Sequence, residues 1–156
     1  MKFRGRFWAS KTSTEKTMNL KKFFIAFIAA WVFVFVYEWL FHGMFMKSNY
    51  METATLWRDD AGFKAHFPLL VLGQGVFVFF FTMIFVRGFG SGGGTAGGFR
   101  YGILIGLLGC GANIIQYAVQ PLTTTILIAW CIGGIIEFAI AGAIVGAIYK
   151  PAVPRM

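Results

Sequence analysis

The stretch FFIAFIAAWVFVFVYEWLF, Phe23 to Phe41, decides the fold class, because its nineteen residues carry one charge, Glu38. At about 1.5 Å rise per residue, a helix of this length matches a hydrocarbon core of ~30 Å. No small-x-small cleavage site follows it. The chain continues as HGMFMKSNYM, residues 42–51, so the segment reads as a retained span and not as a signal peptide.

Three further apolar runs lie downstream. LLVLGQGVFVFFFTMIFV ends at Val86, and Pro68 just before it is expected to open the helix, where a missing N–H is no loss. FRYGILIGLLGCGANIIQYAV covers Phe99 to Val119, and the last run goes from Thr125 to Tyr149, stopped by Lys150 and Pro151. The expected architecture is an all-α integral membrane four-helix bundle with spans at 23–42, 68–87, 99–120 and 125–149. Composition agrees: 58% of the 156 residues are hydrophobic and only 13% charged, too few charges for the water-facing shell of a soluble domain.

The remaining segments are a basic tail (1–22), a loop (43–67), a glycine-rich linker (88–98) and a short C-terminus (150–156). Lys2, Arg4, Arg6, Lys11, Lys16, Lys21 and Lys22 stand in the tail against Glu15, while Arg87, Arg100, Lys150 and Arg155 flank the linker and the C-terminus. The first loop balances its charges, and PLTTT after the third span has none. The positive-inside rule therefore puts both termini and the linker in the cytoplasm and the two other loops outside. Met18-Asn-Leu-Lys-Lys would itself open a span, so residues 1–17 read either as an extension or as the product of a misplaced start codon, and are kept in the reading that follows. Phe3, Phe7 and Trp8 interleaved there with Lys2, Arg4 and Arg6 suit a segment on anionic headgroups, as does a disordered basic tail. Lys21 and Lys22 belong to the same basic anchor, so the +8 net charge implies membrane lipid as partner and not nucleic acid.

RGFGSGGGTAGGFR, 87–100, is expected to be an irregular polar linker. It lacks the GxxxxGK[ST] order, a preceding strand and an internal lysine, so it does not read as a phosphate cradle. Cys110 and Cys131 fall in separate runs at different apparent depths, which predicts two small core residues and no disulfide. Small residues recur at spacing four, Gly102 and Gly106 and then Ala139, Ala143 and Ala147 beside Gly142 and Gly146, a pattern that lets helix backbones approach closely.

Two carboxylates interrupt the apolar runs, Glu38 near the end of the first and Glu137 near the middle of the fourth. An ionised side chain near a bilayer centre costs at least ~2.5 kcal/mol, so Glu137 should point inward to a partner or carry a proton. Asn113, Gln116 and Gln120 share one face of the third span. With Gln74, Glu38 and His42 at similar depth, they outline a polar pocket in the exterior half with Glu137 at its floor. Such a pocket serves a proton, cation or small polar ligand, or else a hydrogen-bonded network that fixes helix register. The inner halves are nearly uniformly apolar, with Thr82 and Tyr101 as the only stepping stones, which argues against a full channel or pump.

His42 and His66, the only histidines, both fall at the exterior boundary, where a bis-histidine haem or a metal is a weaker alternative to simple hydration. No serine, cysteine or aspartate sits where a base and a nucleophile would meet, so no enzymatic role is expected. Leu56, Trp57, Phe63 and Phe67 would anchor a short surface helix in the first loop, over the pocket or as a docking surface.

YEWLFHG (37–43), TATLWR (53–58), GFRYGILIGLLG (98–109) and WCIGGIIEFAIAGAIVGAIYKP (130–151) together resemble small uncharacterised four-helix proteins of bacterial inner membranes. The resemblance implies the topology and no catalytic residue, cofactor or activity. Taken together, the sequence is expected to specify a non-catalytic accessory or assembly subunit that packs against other transmembrane subunits. The alternatives are a small transporter or proton-linked carrier built on Glu137 and, behind it, a haem-holding redox subunit.

Overall fold

The computed structural model describes residues 18–89 and 93–150, and every regular element among them is helical. Helix α1 runs Leu20–Leu40 and passes into one wider π-helical turn, Phe41–Phe45. The short helix α2, Lys47–Glu52, and a 3-10 turn, Ala54–Leu56, lead to α3, Asp60–Phe89. Helices α4, Gly94–Val119, and α5, Thr124–Ile148, complete the chain. Each of α1, α3, α4 and α5 is long and apolar enough to cross a membrane.

Local chemistry sets the helix starts. Asn19 Oδ1 accepts the Lys22 N–H at 3.0 Å, and the Thr123 hydroxyl accepts the Ile126 N–H at 3.3 Å. Asp59 caps α3 in the same way, its Oδ1 accepting from the Gly62 N–H at 2.7 Å and its carbonyl from the Phe63 N–H at 2.8 Å. Such caps satisfy the orphan donors of a first turn. Asp59 also explains a departure from expectation: α3 does not open at Pro68 but at Asp60, leaving Pro68 inside the helix. There the proline cannot donate to the Lys64 carbonyl.

The second departure is the glycine-rich segment. All of GTAGG, residues 94–98, is helical, because α4 begins at Gly94, whose φ of +50° favours a residue without Cβ. Tertiary contact overrides the low helix propensity. A Cβ on Gly98 would fall on the Gly142 carbonyl, and one on Gly146 on the Gly94 carbonyl. The seam continues through Gly102, which lies against the Phe138 carbonyl, and Gly106, where a Cβ would be 2.6 Å from Ile135 Cα. Gly102, Gly106, Ala139, Gly142 and Gly146 are buried and Ala143 is half-buried, so α4 and α5 meet backbone to backbone. Gly98 belongs to this seam although the sequence reading put it in the linker.

The cysteines are also not at different depths. Both are free thiols, and Cys110 Sγ lies 3.6 Å from the Cys131 carbonyl across the seam.

In space α1 sits between α3 and α5, while α4 packs almost wholly on α5. Phe23, Ala26, Ala30 and Val34 form the buried stripe of α1, at spacings of three and four. Val78, Phe81 and Phe85 of α3 and Tyr101, Ala141 and Val145 close on it. The Tyr101 hydroxyl donates to the Phe81 carbonyl at 2.8 Å, and the Asn19 N–H donates to the Tyr149 hydroxyl at 3.1 Å, joining the start of α1 to the end of α5. Lys21 and Lys22 are exposed on the first turn of α1. Lys2, Arg4 and Arg6 of the basic tail, residues 90–92 of the glycine segment and residues 151–156 lie outside the described residues.

Candidate functional site

Because α1 and α4 both pack on α5 and hardly meet one another, a cleft remains between them, at the end of the bundle that carries the α1–α3 connection. It holds a cavity of about 340 Å³. Helix α1 contributes Tyr37 and Glu38, the π-helical turn after it Phe41 and His42, and α4 Gly106, Gly109, Ala112 and Asn113. Helix α5 forms the back with Trp130, Gly133, Gly134, Glu137 and Phe138. Gly109 and Gly134, where an added Cβ would meet nothing within 4 Å, leave the space open, whereas Gly106 lies on Ile135 and Gly133 lies under the Phe41 ring. Phe138, the lining residue of α5 farthest from the α1–α3 connection, packs in tilted ring contact on Phe77 and Phe81 of α3, with centroids 5.0 and 5.9 Å away.

Glu137 is the deepest polar group, with 3% of its surface exposed, and its Oε1 has no hydrogen-bond partner. Its carboxyl interacts with that of Glu38 both electrostatically and through a side-chain hydrogen bond, which leaves Oε1 as the free oxygen. Two carboxyls in a low-dielectric pocket call for a shared proton or a cation between them.

A chain of donors ends on Glu38. The Trp130 indole N–H, which can only donate, gives its proton to the Tyr50 hydroxyl oxygen at 2.7 Å. Tyr50 is then free to donate to His42 Nδ1, with which it is paired. That tautomer leaves the His42 Nε2–H to face Glu38 Oε2 at 3.1 Å. Every member has a partner in this order. Tyr50 lies in α2, outside the long helices, and its phenol is pushed up to about 12, foremost by burial, with the Trp130 hydrogen bond opposing and the Glu38 charge adding.

Trp57 extends the cluster over the mouth, its ring centroid 5.2 Å from Tyr50 and 6.2 Å from Trp130. Its indole N–H donates to the Thr53 hydroxyl at 2.9 Å. Thus α2 and the turn after it are held down on two residues of the cavity wall. Leu56, Phe63 and Phe67 are instead exposed.

Of the residues named from sequence, Glu38, His42, Asn113 and Glu137 line the cavity, and Gln74, Gln116 and Gln120 do not. Gln116 is exposed on α4, and Gln120 ends that helix, its backbone N–H returning to the Gln116 carbonyl at 2.9 Å. Gln74 is half-buried on α3, which contributes nothing to the wall, and its Oε1 has no partner. His66 is exposed, with Nδ1 on the Gly62 carbonyl of its own helix at 2.8 Å, and is not part of the wall, whereas both ring nitrogens of His42 are engaged. Among the described residues no three of His, Cys, Asp and Glu converge as metal ligands.

Tyr37, Phe41, Trp130 and Tyr50 were missed. Spacing carried a signal for three of them: Phe41 is one turn beyond Tyr37, and Trp130 stands two turns before Glu137, on the same face. The Tyr37 hydroxyl donates to the Gly133 carbonyl at 2.9 Å, which pins α1 to α5 beside the cavity. Comparison with family models, with curated proteins and with solved structures finds no match to this chain.

Proposed function

We propose that this is a multi-pass protein of the bacterial inner membrane, with both termini cytoplasmic, and that it is a non-catalytic subunit binding a small cationic solute from the exterior side. The observation that carries the reading is Glu137 Oε1, buried without a partner in a cavity that also receives Glu38. A carboxyl kept at that depth, at a cost in insertion, is a functional site by default. The packing of Phe138 on Phe77 and Phe81 at the inner end and the tight glycine seam favour binding over continuous passage.

The test is thermal unfolding of the purified protein at fixed ionic strength against a panel of inorganic and organic cations. A bound cation raises the midpoint by mass action. At least one cation is expected to stabilise the wild type and not Glu137→Gln. No shift with any cation, or equal shifts in both proteins, would overturn the proposal.

A second reading, an assembly role beside other transmembrane subunits, is favoured by α4. Its outer face exposes Leu104, Leu107, Leu108, Ile115 and Val119, and only one side of the helix is used within the chain. Native electrophoresis from the source membrane, showing only a monomer, would remove it.

A further inference from the structure

The walls of the Glu137 cavity narrow the class of cation, and this step rests on the binding role proposed above. Glu38 faces His42 at 3.1 Å and is hydrogen-bonded to the Glu137 carboxyl, a contact that takes one proton between the two acids, so the unsatisfied acceptor that remains is Glu137 Oε1. One such oxygen suits one positive charge. An orphan acceptor also asks for a donor, which a primary ammonium or a guanidinium has and an alkali ion lacks. Around it the walls are aromatic: Tyr37 and Phe41 are stacked one turn apart with centroids 5.7 Å apart, and Trp130 and Phe138 line the cavity from α5. Aromatic faces attract a cation and accept hydrocarbon equally well. A volume of about 340 Å³ stands at the small end of the usual range for small-molecule sites.

We propose that the cleft between α1 and α4 binds a monovalent organic cation bearing N–H donors and an apolar body, its charged head on Glu137 and its body against Trp130, Tyr37 and Phe41. The same chemistry is offered by a free amine or guanidine and by the headgroup of an amino lipid.

Isothermal titration calorimetry of the full chain in phosphatidylcholine nanodiscs tests this with phenylguanidinium and benzylammonium as probes. Sodium, magnesium and uncharged benzyl alcohol are the controls. Both organic cations are expected to bind, with at least tenfold loss in Glu137→Gln and severalfold loss in Trp130→Ala that Trp130→Phe largely restores. Adding phosphatidylethanolamine separates the sources: weaker apparent probe binding assigns the pocket to a lipid ammonium, and unchanged binding to a free solute. Should Glu137→Gln not fold, protection of wild-type Glu137 from dicyclohexylcarbodiimide by phenylguanidinium, read by mass spectrometry, serves instead. Binding of sodium or magnesium alone would overturn the inference and leave the cation site standing. Benzyl alcohol binding as well as the cations would overturn it too, and no binding by any probe would remove both.

Discussion

Tyr50 ties the short segment after α1 to the cavity wall, because its hydroxyl accepts from Trp130 and pairs with His42. Removing that oxygen leaves a half-buried indole N–H and an imidazole nitrogen without partners, which costs about 1–3 kcal/mol. Tyr50→Phe should therefore unfold more easily at neutral pH, by thermal melting in mild detergent. The sign of its pH dependence follows from the raised phenol. Between the ordinary value of 10.0 and about 12, the unfolded chain gives up the Tyr50 proton and the folded chain does not. Stability from this residue is complete below pH 10 and is lost as pH approaches 12. The gap between wild type and Tyr50→Phe should close over that window, and a gap that widens would contradict the assigned donor order. Glu137 was legible in the sequence because a carboxylate inside an apolar run has few explanations. Tyr50 was not, since its partner Trp130 lies 80 residues away and a tyrosine in a loop carries no pattern.

Helix pairs were legible where spacing alone defines a face. The repeat of small residues at four-residue intervals marks the α4–α5 seam, and the structure extends it to Gly98, which composition had assigned to a linker. Glycine weakens an isolated helix by about 1 kcal/mol per residue, so only the backbone contact with α5 reveals why this stretch is helical. Gly102→Val should separate the two helices, because its side chain would meet the Phe138 carbonyl and lie 2.8 Å from Ala139 Cα. A loss of about 3 kcal/mol is expected from such overpacking. Gly109→Ala is the control, having nothing within 4 Å of a new Cβ, and should be neutral or slightly stabilising. Detergent-titrated circular dichroism measures both. The cysteines offer an independent check of the same register: Cys110 and Cys131 should be bridged by dibromobimane in the native protein and no longer in Gly102→Val. Pro68 was misread for the opposite reason: a proline is favoured at a helix start and loses a backbone hydrogen bond two turns in, so local preference pointed to the start, and only the Asp59 cap places that start eight residues earlier.

At the scale of the molecule, the four helices among the described residues that are able to span leave the start of α1 and the end of α5 on one side, once they sit in a membrane. The Asn19 to Tyr149 hydrogen bond joins the start of α1 to the end of α5, which agrees with that geometry. Which side it is depends on charge. Lys21 and Lys22 open α1, Arg87 and Arg100 flank the turn between α3 and α4, and Lys150 follows α5, whereas Lys47, Arg58 and Lys64 at the opposite end are offset by Glu52, Asp59 and Asp60. Keeping the first set in the cytoplasm satisfies the positive-inside rule at three segments at once. Single cysteines introduced at Thr55 and at Lys150, in a background with Cys110 and Cys131 changed to alanine, should differ in whole cells. The Thr55 thiol is expected to react with a membrane-impermeant maleimide, and the Lys150 thiol only after lysis. The reverse pattern would place the Glu137 cleft on the cytoplasmic side and direct the search for its ligand to the cell interior, while labelling of both in whole cells would contradict four spans.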